Sequence, residues 1–345
     1  TIMRLLLLLF IIPFLSFGQQ TFIPDDNFEQ KLIDLGYDDV LDNFVLTDNI
    51  IDLTDLNLSY SDIIDLTGIN SFLNLGSLTA HGNNIFGSLE LILPNLTSLG
   101  LFDNGITNLD ISQCDNLQWL DVQQNLLSSI DISNNINISQ LSISNNLINE
   151  LDLSNNIELF QLAAANTLIE DVDLSMLYNL NWLDISSSNL KNIILPNSSL
   201  DNVNLSYNYL TDIDLSNISN LGNLNLINNL LLNLDLSNVT SIESLSASNN
   251  LFNCIAIGND LDEELFYVYV DDNVSFSNTC DYNDNIVGCM NNLSPNYNPE
   301  ANYDDNSCSL IEFQADNYNY NDLAYIADGC FMDVVIPKNI DIIYL

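Results

Sequence analysis

The chain has 345 residues, with 47 acidic side chains against 4 basic ones and a formal net charge of −43. A surface so negative repels nucleic-acid phosphates and anionic lipid, so neither is expected as a partner. Charged residues nevertheless make up only 15% of the chain and hydrophobic residues 47%, which supports a substantial core and excludes a disordered acidic tail.

The chain opens "TIMRLLLLLFIIPFLSFGQQ". Arg4 precedes an apolar run from Leu5 to Leu15, followed by the small residues Ser16 and Gly18. That order predicts a secretory signal peptide over 1–18, with Met3 as its start. A membrane helix is the alternative, but the run falls short of the ~20 residues a span needs and Pro13 interrupts it. The expected location is therefore extracellular or surface-associated, and not membrane-spanning.

Residues 19–51 read as an N-terminal cap. Within "TFIPDDNFEQKLIDLGYDD", Pro24, Asp25 and Asp26 can start a helix and Gly36 can end it. Phe28, Leu32, Ile33 and Leu35 would supply its apolar face.

From 52 to 261 the sequence repeats itself. Residues 116–136, "NLQWLDVQQNLLSSIDISNNI", carry apolar residues at positions 2, 5, 7, 12, 15 and 17 and Asn at position 10. The same template fits from 95, 137, 158, 220 and 241 without a gap. It fits from 179 and 199 with one residue lost between them, and more loosely from 52 and 74, giving about ten units. Apolar alternation at 5 and 7, and again at 15 and 17, predicts two short strands per coil facing a shared core. One coil cannot bury that core alone, so coils must stack and the ends must be capped. The expected fold is a capped repeat solenoid with short parallel strands on both faces and few helices.

Position 10 forms a ladder of Asn83, Asn104, Asn125, Asn146, Asn208, Asn229 and Asn250. An amide can both donate to and accept from the buried backbone groups of a tight turn, so this ladder reads as structural. It breaks at Thr167 and Ser188, where a looser or differently curved stretch is expected. The pattern in "LQWLDVQQNLL" and "LGNLNLINNLL" resembles a leucine-rich repeat. With "SIDISNN" and "ELDLSNN" as second half-copies, it is similar to the bacterial class of nested 21-residue repeats. The resemblance implies a protein that recognises partners rather than transforms substrates.

Two outward rows of the first strand can vary without disturbing the core. Position 4 carries Trp119, Gln140, Gln161 and Trp182 in succession, and these tryptophans are the only two in the chain. Position 8 adds Phe102 and Gln123, with His81 expected to point into solvent. An exposed indole in an Asn/Ser field suits a protein segment or a glycan. These six residues, His81 excepted, form the candidate site, with edge packing of the indoles as the alternative.

The second strand carries Asp110, Asp131, Asp152, Asp173, Asp214 and Asp235 at position 16, with serine at position 18. Stacked carboxylates repel by about 1 kcal/mol per neighbour even in water. Hydroxyl hydrogen bonds offset that repulsion in the favoured reading, and bound calcium in the alternative. Lys191 stands where Ile194 interrupts this ladder.

Residues 262–281 read as the C-terminal cap, with a Cys254–Cys280 bridge tying the last coil to it. Cys114, at position 20, is expected as a buried turn thiol. Residues 282–345 form an Asn/Asp/Tyr-rich tail with an apolar end, which is open to truncation. Its "GCMNNLSPNYNPEANYDDNSC" resembles a two-cysteine module of secreted Bacteroidota proteins, which implies Cys289–Cys308 and leaves Cys330 without an obvious partner. Asp304 and Asp305 in that turn are a candidate calcium pair, although "DYNDNIVGC" lacks the Gly and Glu of an EF-hand.

Enzymatic chemistry has little to build on. A single histidine excludes a multi-histidine zinc site, and no serine lies in a GxSxG context. The expectation is a non-catalytic binding protein without a cofactor, with calcium as an open alternative and an extracellular protein or glycan as partner.

Overall fold

The computed structural model describes residues 18–259, 261, 267–280, 288–292, 294–301 and 308–309, and the backbone of 323–326 and 334–337. Residues 1–17 of the expected leader, Asp304, Asp305 and Cys330 lie outside the described residues. Among the described residues no helix is long and apolar enough to cross a membrane.

The chain winds into a parallel β-solenoid of about ten turns. Eleven strands form one sheet in chain order from Asp55–Asn57 to Tyr267–Tyr269. Each strand pairs in parallel with the strand one coil later, so Trp119 sits beside Gln140, Gln140 beside Gln161 and Gln161 beside Trp182. Trp182 then pairs with Asn202, which absorbs the residue lost between the units at 179 and 199. Position 5 faces inward in every coil, and Leu99, Leu120, Leu141, Leu162 and Leu183 are fully buried. Alternation along a pleated strand puts positions 4 and 6 on the opposite, outer face.

A tight turn follows each strand. Position 9 adopts the left-handed conformation at Asp103, Gln124, Asn145, Asn166, Ser187, Tyr207, Asn228 and Asn249, with φ between 52° and 59°. Asn and Asp tolerate that region better than most residues, which fits their frequency here. The next residue then closes the turn. Asn125 Nδ2 donates to the Leu101 and Val122 carbonyls at 3.0 Å each, while its Oδ1 accepts the Ile106 N–H at 3.0 Å. The same three bonds recur at Asn83, Asn104, Asn146, Asn208, Asn229 and Asn250. At the break in the ladder, Thr167 and Ser188 are buried and their hydroxyls meet at 3.0 Å. The sheet passes them in register, so the gap is bridged.

Strands on the second face are discontinuous. Phe86–Glu90 pairs with Gly105–Asp110, and Asp171–Asp173 with Asn192–Ile194. Leu234–Leu236, Cys254–Ile257 and Ser275–Ser277 form a third ladder. Between the first two ladders, 128–133 and 149–154 form no strand. There the interior is held by position 20: Asn135 Nδ2 reaches the Ile111 and Cys114 carbonyls, and Asn156 Nδ2 those of Ile132 and Asn135. Cys114 occupies the preceding place in that column, buried and unbridged.

At the N-terminal end a helix runs Asp26–Asp34, and Gly36 follows it with φ 83°. Phe28 and Leu32 are buried against the first coil, with Phe28 stacked on Phe72 at 6.2 Å. Leu35 departs from the expected apolar face, being 42% exposed, because it lies past the last helical turn. Glu29 is buried in its stead, its Oε1 accepting the Asp42 and Phe44 N–H groups at 2.9 and 3.0 Å. Near the other end, Cys254–Cys280 and Cys289–Cys308 are bridged, with Cα–Cα distances of 5.8 and 4.7 Å.

Candidate binding surface

The candidate residues lie on neighbouring strands of the eleven-stranded sheet. Trp119, Gln140, Gln161 and Trp182 occupy one row, register-matched across four adjacent strands. Three strand spacings put the tryptophans ~14 Å apart. Gln140 is exposed, whereas Trp119, Gln161 and Trp182 are half-buried, so the indoles are less open than a bare outward position implies.

Trp119 lies over Gly100 of the coil before it and reaches the coil before that. Its ring meets the His81 imidazole edge-on with centroids 6.5 Å apart, and His81 meets Phe102 at 6.0 Å. Gly100 makes this possible: a Cβ there would stand 2.4 Å from His81 Cε1 and 3.2 Å from Trp119 Cζ3. His81 is thus not the solvated side chain expected from its position. It is half-buried, and its Nδ1 accepts the Phe102 N–H at 3.1 Å. Position 8 is also less outward than expected, since Ser144, Ser206 and Ser248 are buried. They lie where the strand bends into the turn.

Position 6 shares the outer face and escaped the sequence reading. It carries Asp121 and Asp184, each two residues after a tryptophan in an identical Trp-Leu-Asp strand. The signal was present in the repeated tripeptide. Asp121 Oδ1 accepts from the Gln123 N–H and Nε2 at 3.1 and 3.2 Å. Asp184 Oδ1 accepts from the Ser186 N–H and Oγ at 2.9 and 2.6 Å.

The second face carries the aspartate ladder. The serine N–H two residues on donates to each carboxylate at 2.8–3.0 Å, at Asp110, Asp131, Asp152, Asp173, Asp214 and Asp235. These bonds hold Asp131, Asp173 and Asp214 below the usual carboxylate range through the serine hydroxyl first, and Asp110 and Asp152 through the backbone N–H first. Lys191 pairs with Glu170 at 2.8 Å, both about half exposed. Among the described residues no three His, Cys, Asp or Glu side chains converge as a metal-ligand set.

Comparison with solved structures places this geometry. The leucine-rich-repeat domain of APL1 matches with TM-score 0.54 and 21% identity, over 66% of this chain and 65% of that one. The corresponding domain of APL1B matches with TM-score 0.50 and 18% identity, over 66% and 76%. The fold is that of leucine-rich repeats. The functional domain of InlJ from Listeria monocytogenes is 24% identical over 77% of this chain and 74% of that one, with TM-score 0.46. No protein-family model and no curated protein matches the sequence.

Proposed function

We propose that the chain is a secreted or surface-associated leucine-rich-repeat binding protein that mediates protein recognition or adhesion without catalysis. The carrying observation is the row Trp119, Gln140, Gln161 and Trp182: the chain's only tryptophans stand on one register line of one sheet face. Half-buried indoles flanked by amides combine large apolar contact with hydrogen bonding, as binding surfaces require. Phe102 and Gln123 extend the same face. Two disulfides support an oxidising compartment, in keeping with the secretory leader expected at 1–18. In this reading 19–51 and 262–281 protect the ends, 52–261 present the surface, and 282–345 form an appendage.

Glycan binding is the second reading, favoured by the same two indoles, whose faces suit sugar C–H groups while Gln140 and Gln161 serve hydroxyls. A panel of surface proteins and polysaccharides, with and without calcium, tests both against wild type and Trp119→Ala/Trp182→Ala. A ligand whose binding is lost in the double variant supports the reading and tells protein from glycan. Ligands bound equally well by both proteins would contradict it. Calcium dependence would bring Asp304 and Asp305 into the account.

A further inference from the structure

Positions 4, 6 and 8 of the coils from 74 to 261 carry only two carboxylates, Asp121 and Asp184, in a protein with 47 acidic residues. Each stands two residues from a tryptophan, on the same face of the same strand. In both, Oδ1 is held by the residue two positions on. Among the described residues no hydrogen bond or ion pair engages Oδ2 of either. The two Trp-Leu-Asp strands are therefore stations of one kind, each an indole beside a half-buried carboxylate with one oxygen to offer, although only Trp119 also meets an imidazole.

An indole face next to a carboxylate is a receptor for a cation with an apolar or planar body. A guanidinium stacks on the ring while donating to the carboxylate, and partial burial limits screening by salt. The strongly acidic chain adds long-range attraction for a basic partner. The spacing narrows the partner further. The stations are ~14 Å apart, and in an extended peptide residues i and i+4 share a face at ~13–14 Å.

We propose that Trp119 with Asp121, and Trp182 with Asp184, bind two basic side chains four residues apart in an extended peptide segment lying across the strands. Gln140 and Gln161, between the stations, face the segment's backbone. This assignment rests on the sheet face being the working surface.

The test titrates the full chain with the peptide Gly-Arg-Gly-Ser-Gly-Arg-Gly, following fluorescence of the only two tryptophans. A single-arginine peptide and one with arginines two residues apart run beside it, at low and physiological salt. The two-arginine, four-apart peptide should bind at least tenfold more tightly than either, because the second station acts intramolecularly. The isosteric Asp184→Asn, and separately Trp182→Ala, should reduce it to the single-arginine level. Equal binding of all three peptides, or a spacing preference that survives both variants, overturns the proposal. Binding of an uncharged polysaccharide or protein that depends on the tryptophans, with no peptide binding, overturns the basic-segment assignment but leaves the working surface intact. If no ligand at all depends on the tryptophans, both fall.

Discussion

Asn125 and Asn146, one coil apart, donate to the same carbonyl: Val122 O accepts Asn125 Nδ2 at 3.0 Å and Asn146 Nδ2 at 2.9 Å. Each rung thus satisfies backbone groups of two coils, and on either side of the break at Thr167 and Ser188 the ladder links successive coils rather than closing separate turns. Removing Asn125 takes the side-chain acceptor from the Ile106 N–H and one of two amide donors from the Leu101 and Val122 carbonyls, which keep Asn104 and Asn146. Asn125→Ala is predicted to cost about 1–3 kcal/mol, read by urea unfolding. Asn137→Ala, whose amide reaches Asp115 O from an exposed site, should stay within ~0.5 kcal/mol. Equal costs would contradict a structural role for the ladder.

The N-terminal end depends on Asp25. Its Oδ1 caps the helix through the Asn27 and Phe28 N–H groups at 2.9 Å each, and its Oδ2 accepts those of Ile64 and Asp65 at 2.7 and 2.9 Å. One buried carboxylate therefore joins the helix to the first coils. Asp25→Ala should cost about 2–3 kcal/mol, beyond the ~1 kcal/mol of an ordinary N-cap. Amide exchange should accelerate at Ile64 and Asp65 as well as in the helix. A loss confined to the helix would show that the two do not act together.

The aspartate–serine turns set a pH dependence. Asp110, Asp131, Asp152, Asp173 and Asp214 are held low in the folded chain. A folded pKa below the unfolded ~3.9 contributes stability that is present above that value and lost as pH falls through the folded one. Ser133→Ala removes the hydroxyl that acts most strongly on Asp131. Carboxyl titration by NMR should then show the Asp131 pKa rising toward the ordinary value while Asp173 stays put. No movement at Asp131 would assign its depression elsewhere.

Reactivity of the cysteines offers a separate check. Burial raises the Cys114 thiol, which contacts Leu91 O at 3.5 Å. Native protein should leave Cys114 unmodified by a thiol reagent, and denaturant should expose it. Cys254→Ser/Cys280→Ser should lower stability by about 2–4 kcal/mol, because the bridge ties the strand Cys254–Ile257 to the chain three residues past Ser275–Ser277. Rapid native labelling of Cys114 would mean the coil around 114 opens readily.

Much of the fold was legible because a solenoid writes its core locally. Leu120 and Val122 face inward for the same reason as Leu141 and Ile143, and 21-residue spacing repeats the reason. The turn asparagines were legible on the same ground. The surface was less so. His81 looked outward from its own coil, but its surroundings are set by Gly100 and Trp119 in other coils, where an absent Cβ admits both rings. The second-face strands are missing at 128–133 and 149–154 although the two coils match closely there, so the repeat pattern did not reveal the gap. Leu35 sat on the apolar stripe but past the helix end.

The central claim is that the working surface is the sheet face carrying Trp119 and Trp182, and not the aspartate ladder opposite. Its most direct test is affinity for one identified ligand across two folded variants, Trp119→Ala/Trp182→Ala and Asp131→Asn/Asp152→Asn. The account predicts at least a tenfold loss in the first and affinity within about twofold of wild type in the second. Loss in the aspartate variant with retention in the tryptophan variant would contradict it, and would move the site to the second face.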